Sequence, residues 1–235
     1  MKQVLKMSAI STALLTLPMM ANADVLASVK PLGFITSSIA NGVTDTQILV
    51  PAGASPHDYS LKLSDVQKVK SADLVVWVGE DIDAFLAKPI SQIDRKKVIN
   101  ISEIPEIKPL LSKVHHEHYH EGDEDEHGHD HKHGHDHKHE HGHDHEHHHH
   151  DVDENGLSVN WHLWYSPAIS QIVAQKVADK LTEQHPDKKE LIAKNLADFN
   201  RTLTEQSDKI KAQLAPLKDK GFFVFHDAYS YFNDA

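Results

Sequence analysis

The sequence predicts an α/β protein built on a parallel β-sheet, and three observations lead to this fold class. Segments with the pattern of strands alternate with helical segments through the first hundred residues, which is typical of a parallel sheet flanked by helices. Residues 74–78 (LVVWV) are all apolar, as expected of a strand that is buried on both faces. After residue 23 no segment approaches about 20 consecutive apolar residues, so we expect no insertion into a membrane.

Four strands and three helices are predicted between residues 24 and 101. Pro31 marks the first turn of the first helix, where proline is well tolerated. Ser64 and Gln67 have the spacing of a capping box, which starts the second helix. The predicted strands are 24–30, 46–50, 74–78 and 97–101, and the predicted helices are about 31–41, 64–71 and 82–92.

The pattern resumes near residue 157 and predicts two more helices and one more strand. Ser166 followed by Pro167 has the pattern of an N-cap and a first helical residue, and starts a helix that ends near Gln184. Residues 187–214 have a helical pattern, and residues 222–225 have the pattern of a buried strand. Because a single strand after a long helix cannot form a sheet, we expect the sequence to stop within a truncated second α/β lobe.

The first 23 residues have the pattern of a secretory signal peptide. Lys2 and Lys6 form the charged region, residues 9–20 are mostly apolar, and residues 21–23 (ANA) provide the small residues of a cleavage site. Cleavage there would leave Asp24 as the first residue. We therefore expect an exported protein that works in the periplasm.

The net charge of −11 is concentrated in one segment. Residues 115–155 contain fourteen Asp or Glu and two Lys, which leaves 21 acidic and 22 basic residues in the rest of the chain. This balance argues against binding to nucleic acid, which requires a basic surface. The sequence contains no Cys, so neither a disulfide nor a thiolate metal ligand is available.

The most unusual segment is the His-rich insert, which we define as residues 115–155. Eighteen of the 36 residues from 115 to 150 are histidine, and neutral imidazole is a common ligand of zinc, copper, nickel and cobalt. Because this composition cannot form a packed core, we predict a mobile surface loop that binds several metal ions weakly. Its candidate ligands are His115, His116, His118, His120, His127, His129, His131, His133, His135, His137, His139, His141, His143, His145, His147, His148, His149 and His150.

Four histidines lie outside the insert, and three of them are candidates for a single metal site. His57 and His226 follow predicted strands, and His162 lies just before a predicted helix. Ligands of open parallel sheets bind beyond the carboxyl ends of the strands, so these three could converge on one zinc ion with an open fourth position. The spacing alone is weak support, since an isolated loop histidine is usually a surface residue, as we expect for His185.

Several segments together resemble the metal-binding proteins of bacterial ABC importers, most closely the zinc-binding members. They are residues 51–86 (PAGASPHDYSLKLSDVQKVKSADLVVWVGEDIDAFL), the His-rich insert, residues 162–167 (HLWYSP) and residues 222–232 (FFVFHDAYSYF). The resemblance implies two lobes of parallel sheet flanked by helices and joined by one long backbone helix, with Zn²⁺ bound between them by His57, His162 and His226. It also implies a monomer that delivers Zn²⁺ to an ABC-type permease in the inner membrane.

The resemblance also implies boundaries. Residues 24–186 would form the N-terminal lobe with the insert, residues 187–214 the linking helix, and residues 215–235 the start of an incomplete C-terminal lobe. Many members have Glu immediately before the first histidine, where this chain has Pro56, so the fourth ligand stays open. Asp58 and Asp227 are candidates for orienting the imidazoles by hydrogen bonds.

Two alternatives from other functional classes stay open at this point. The first is a periplasmic metal buffer or storage protein that acts through the insert alone. The second is a zinc hydrolase with a three-histidine site and a bound water, although no general base can be identified in the sequence. Ligands that are all nitrogen favour zinc, whereas added carboxylates would favour manganese. We expect a transport protein and not an enzyme.

Overall fold

The computed structural model describes residues 25–115, 157–218, 220–224, 226 and 228–235. The predicted signal peptide lies outside these residues. The same is true of residues 116–156, which contain every insert histidine except His115, and of Phe225 and Asp227.

A four-stranded parallel sheet forms the centre of the described chain. Its strands are β1 (Val25–Ala27), β2 (Thr46–Ile48), β3 (Leu74–Trp77) and β4 (Val98–Asn100), in the order β2-β1-β3-β4. In the register, Leu26 faces Gln47 on one side and Val75 on the other. The prediction of a parallel α/β sheet is confirmed, and each of the four strands predicted between residues 24 and 101 is present in a shorter form.

The two central strands are buried on both faces, which explains their unbroken apolar sequence. One face, which includes Val25 and Val76, packs into a core with buried residues of three helices, α1 (Lys30–Ala40), α5 (Pro167–Gln184) and α6 (Lys189–Leu214). The opposite face, which includes Leu26, Val75 and Trp77, packs against α2 (Leu63–Ser71) and the chain near Leu86.

The predicted helix 82–92 is divided into shorter pieces. They are α3 (Glu80–Asp83), a 3₁₀ turn (Ala84–Leu86) and α4 (Ala87–Ile90). Pro89 contributes to this break because it has no N–H to donate to the preceding turn. Gly79 precedes α3 with φ of 140°, and an added Cβ would lie 2.5 Å from the Ser102 hydroxyl oxygen. A side chain is therefore excluded at this tight bend.

A two-stranded antiparallel ribbon flanks the His-rich insert, and the sequence pattern did not indicate it. β5 (Lys113–His115) pairs with β6 (Leu157–Val159), so the chain leaves and returns at adjacent positions. This pairing holds the two ends of the insert together. It also leads the chain directly towards His162.

The long helix predicted at 187–214 is present as α6. Only Ile192 and Asn195 of this helix are buried, and the Asn195 amide donates to the carbonyls of Ile39 and Asn41 at the end of α1. The second half of the helix is exposed. Among the described residues, no helix combines the length and the apolar character needed to cross a bilayer. The role of this helix as a link between lobes stays a prediction.

The predicted strand at 222–225 is wrong for the residues that are described. Residues 222–224 belong to no strand, and Phe222 and Phe223 are 64% and 104% exposed. A strand requires hydrogen bonds to a neighbouring strand, and in the described part of the chain none lies alongside. The chain instead turns back and ends in the short helix α7 (Ser230–Asp234).

Candidate metal centre

His57 lies in a tight turn beyond the carboxyl ends of the sheet. The chain continues past β2, where Val50 donates to the carbonyl of Ser28, and then forms a 3₁₀ turn at Pro56–Asp58. The Ser55 hydroxyl accepts a hydrogen bond from the His57 N–H at 3.2 Å and so caps this turn. The turn packs against α3, and the His57 side chain is exposed.

His162 reaches the same region from β6 rather than from the parallel sheet. It lies between Asn160 and the 3₁₀ turn Leu163–Tyr165. Ser166 then caps α5 by accepting from the Ile169 N–H at 3.3 Å, as the sequence predicted. The half-buried His162 ring contacts the Trp164 ring edge-on, with 5.3 Å between their centroids.

His226 does not follow a strand, so the setting predicted for it is wrong. Its position depends on the residues that come after it. The Tyr231 hydroxyl donates to the Asn160 carbonyl at 2.7 Å and accepts from the Ser112 N–H at 3.0 Å. Burial raises the pKa of Tyr231, which keeps this hydroxyl protonated as a donor. The segment is thus attached to the ends of the antiparallel ribbon, beside His162.

The structure brings His57, His162 and His226 together. One ring nitrogen from each can be chosen so that all three lie within 4.8 Å of one another. The Nε2 atoms of His162 and His226 are 3.3 Å apart, which is about the separation that two nitrogens adopt on a tetrahedral zinc with Zn–N bonds of about 2.0–2.1 Å. The centroids of the His57 and His162 rings are 5.6 Å apart, so a modest movement of the exposed His57 ring would complete a three-nitrogen site.

A buried carboxyl, Asp83, supports the side of the cluster that carries His57. Its Oδ2 atom accepts from the Ser28 hydroxyl at 2.7 Å and from the Val78 N–H at 2.9 Å. It thereby ties α3 to the ends of β1 and β3. Burial raises the pKa of Asp83 to about 6, against the lowering effect of these two hydrogen bonds. The sequence pattern does not mark this residue.

Of the two residues predicted to orient the imidazoles, the structure describes Asp58 but not Asp227. Asp58 lies in the turn with His57 and has an exposed side chain, and its role stays a prediction. Asp227 and the histidines from His116 to His150 lie outside the described residues. Asn160 was missed and contacts the His162 ring directly. The Asn-x-His spacing is a usable signal, because asparagine often bonds to the backbone two residues further on.

Comparison with known proteins identifies the family. Residues 25–235 match the ZnuA family, described as zinc-uptake complex component A, periplasmic. The chain belongs to this family. The resemblance to zinc-binding importer proteins is therefore confirmed, and the family is described as a component of a zinc-uptake complex.

Two relatives and one solved structure illustrate the similarity. The chain is 78% identical over 244 aligned positions to the high-affinity zinc uptake system protein ZnuA of Haemophilus influenzae, covering 100% of this chain and 72% of the relative. It is 51% identical to the ZnuA of Haemophilus ducreyi, covering 98% and 69%. A ZnuA deletion mutant with zinc bound has the same fold, with a TM-score of 0.65 at 19% identity, covering 90% of this chain and 66% of that structure. The chain thus spans about two thirds of the length of these ZnuA proteins.

Proposed function

We propose that this protein captures Zn²⁺ in the periplasm through His57, His162 and His226 and delivers it to an ABC-type permease in the inner membrane. Membership of the ZnuA family supports the zinc cargo and the transport role. On this proposal the protein is a monomeric binding protein and has no catalytic function.

A single observation carries the proposal. Three histidines that are far apart in the sequence place ring nitrogens within 4.8 Å of one another. Imidazoles that lie this close together repel one another whenever more than one of them is protonated. A shared metal ion offsets this cost by bonding to all three neutral rings. Three nitrogen ligands with an open fourth position suit zinc better than manganese, which prefers oxygen.

The fourth position is proposed to hold water or an oxygen ligand. Pro56 occupies the position where many members have Glu, and its side chain has no atom that can coordinate a metal. A site with only three protein ligands keeps one position exchangeable. Such a site suits a protein that must release its ion to a permease.

The second candidate function is metal storage by the His-rich insert. The specific observation in its favour is the set of eighteen histidines in 36 residues. Wrapping an ion with a chain segment costs conformational entropy for each residue that becomes ordered. We therefore propose that the insert binds several ions, each more weakly than the three-histidine cluster does. The hydrolase alternative has no specific observation in its favour.

A zinc titration against a competing chelator separates these functions. The samples are the wild-type protein, the triple variant His57→Ala/His162→Ala/His226→Ala and a variant that lacks residues 116–155. We expect one tight event plus weaker events in the wild type. The triple variant should lose only the tight event, and the deletion should lose only the weaker ones. Retention of the tight event in the triple variant would favour storage and contradict the capture site.

Delivery to a permease is tested in cells that lack their own periplasmic zinc-binding component. Expression of the protein should restore growth in zinc-depleted medium, and the triple variant should not restore it at the same periplasmic level. Rescue by the triple variant would show that the cluster is not needed for uptake. Hydrolysis of esters or phosphate esters by the zinc-loaded wild type, absent from the triple variant, would favour the enzyme alternative.

A further inference from the structure

Asn160 forms two hydrogen bonds with the same histidine. Its Oδ1 atom is 3.0 Å from the His162 backbone nitrogen and 2.8 Å from the His162 Nδ1 atom. A backbone N–H can only donate, so the side-chain atom that faces it is the amide oxygen and not the amide nitrogen. The other end of the amide agrees with this orientation, because Nδ2 lies 2.7 Å from the Ser230 hydroxyl oxygen.

The orientation of this amide determines the tautomer of His162. An amide oxygen accepts hydrogen bonds and cannot donate one. The His162 Nδ1 atom must therefore carry the proton, which leaves the lone pair of the neutral ring on Nε2. The Nε2 atom is the one that lies 3.3 Å from Nε2 of His226, within the cluster. The ring thus presents its only metal-binding atom towards the other two histidines.

Asn160 is itself held from several directions, so it can impose this orientation. Its side chain is almost fully buried, with 2% of the residue exposed. The backbone N–H of Asn160 donates to the Ser112 carbonyl at 2.9 Å, and the backbone carbonyl of Asn160 accepts from the Tyr231 hydroxyl. Ser112 directly precedes the first strand of the ribbon, and Tyr231 lies in the segment after His226. Asn160 therefore contacts both the His162 ring and the segment that carries His226.

We infer that Asn160 is a positioning residue that holds His162 in the Nδ1-protonated tautomer, with Nε2 presented to Zn²⁺. The inference rests on the proposed function, because the proposed Zn²⁺ site is the reason why the lone pair must be on Nε2. The competing explanation is that Asn160 only stabilises the local turn and the segment at Tyr231. These two explanations differ in what they predict for the imidazole ring.

The test begins with the ring itself, in the metal-free wild-type protein. Two-dimensional ¹H–¹⁵N spectra distinguish the two tautomers of a neutral histidine, and the His162 signal is assigned by its loss in His162→Gln. We expect Nδ1 to be protonated and Nε2 to be unprotonated. The opposite tautomer, or an even mixture, would overturn the inference whatever the zinc affinity proves to be.

Three variants then separate positioning from general stability. Asn160→Leu keeps the branched shape of the side chain but removes the acceptor, and it should weaken zinc binding by about 10–100-fold, as is typical of residues that orient a ligand. Asn160→Asp keeps the acceptor and should stay within a few fold of the wild type, with the same tautomer. Tyr231→Phe removes a hydroxyl from the same network without touching the ring. It should lower the midpoint of thermal unfolding and leave the tautomer unchanged, because the Asn160 side chain still accepts from the His162 ring.

The outcomes also separate this inference from the proposed function. If the wild type binds no zinc tightly, the proposed function fails, while the spectrum still reports the tautomer. If the wild type binds zinc tightly and Asn160→Leu folds and binds equally well, the positioning role is wrong. Loss of the Nδ1-protonated tautomer in Tyr231→Phe, or its retention in Asn160→Leu, would also contradict it. Should Asn160→Leu fail to fold, the wild-type spectrum and Asn160→Asp still decide the matter.

Discussion

The histidines of the cluster are held in two different ways. His162 is half-buried, and its ring is bonded to a buried asparagine that is fixed by the ribbon at the insert and by the chain near Tyr231. His57 is exposed, and the contact that caps its turn is made through its backbone to the Ser55 hydroxyl. The His162 ring is thus bonded to a buried side chain, whereas the turn that carries the exposed His57 is capped through the main chain.

This difference bears on the energy of metal binding. A half-buried ring that is already bonded gives up little side-chain freedom when it binds the ion, whereas ordering an exposed side chain costs about 0.5–1.5 kcal/mol. We therefore expect His162 to form the fixed part of the site and His57 to close onto the ion afterwards. The predictions that follow test this contrast, from the largest expected effect to the smallest.

The first prediction concerns the three ligands themselves. The binding free energy of a structural zinc site with four ligands is about 10–16 kcal/mol, or about 3 kcal/mol for each ligand. Each single alanine substitution should therefore weaken the tight zinc-binding event by roughly a hundredfold. His162→Ala should weaken zinc binding up to about tenfold more than His57→Ala does. The reason is that a ligand that is already oriented binds the ion without losing side-chain freedom. Competition titrations measure both values.

His185→Ala is the matched control for these substitutions. His185 lies at the end of α5, outside the cluster, and its replacement should leave zinc affinity unchanged. A larger loss in His57→Ala than in His162→Ala would reverse the proposed contrast. Unchanged affinity in all three cluster variants would refute the assignment of the site.

The second prediction concerns Asp83, which supports the His57 side. Its folded pKa of about 6 lies above its ordinary value of 3.8, so the folded state holds the proton more tightly than the unfolded state. The contribution of Asp83 to the free energy of unfolding should therefore fall as the pH rises from about 4 to about 6 and stay lower above that range. The difference of about two pKa units corresponds to roughly 3 kcal/mol at most.

Urea unfolding of the wild type and of Asp83→Asn across this pH range measures the effect. The wild type should lose stability relative to the variant as the pH rises, because the variant has no proton to release at this position. Asp81→Asn replaces an exposed carboxylate on the same short helix and should follow the wild-type curve. Parallel curves for the wild type and Asp83→Asn would show that Asp83 does not titrate in this range.

The third prediction concerns the His-rich insert, whose candidate ligands are recognised from its composition. Deletion of residues 116–155 should remove several weak binding events and change the affinity of the tight event by less than about threefold, since the ribbon ends that hold Asn160 remain. Calorimetry between about pH 7.5 and 5 should show the weak events of the wild type disappearing as imidazoles of ordinary pKa become protonated. Weak events that persist in the deletion variant would place these sites elsewhere.

The smallest expected effect is that of the turn at His57. Ser55→Ala removes the acceptor of the His57 N–H. It should make the free energy of zinc binding less favourable by about 0.5–1.5 kcal/mol, which corresponds to a two- to tenfold loss of zinc affinity. Ser166→Ala removes a similar cap, at the start of α5, and should lower stability by about 1 kcal/mol without changing zinc affinity. If both variants bind zinc equally well, the Ser55 cap does not position His57.

Much of the fold could be predicted because it depends on local pattern. The strands were recognisable from apolar runs, and Ser166-Pro167 marked the start of a helix. The run at 222–225 has the same apolar character as β3, yet its described residues form no strand and lie exposed. The two segments differ in their neighbours, since β3 pairs with strands on both sides. Apolar character indicates that a segment is suited to a sheet, whereas pairing depends on what lies beside it.

The sequence by itself determined which residue types could bind the cargo. It has no cysteine, it concentrates acids and histidines in one insert, and it leaves four other histidines, three of which form the cluster. Composition and family resemblance are sufficient for these conclusions because ligand chemistry belongs to individual side chains.

Only the tertiary structure decided how those side chains are held. The antiparallel ribbon, the return of the chain through Tyr231 and the two hydrogen bonds from Asn160 to His162 join residues that are distant in sequence, and spacing cannot encode their distances. Asp83 shows the same limit, because nothing in its local sequence reveals that it is buried. The tautomer of a histidine and the pKa of a carboxyl are properties of the surroundings, and these exist only once the chain has folded.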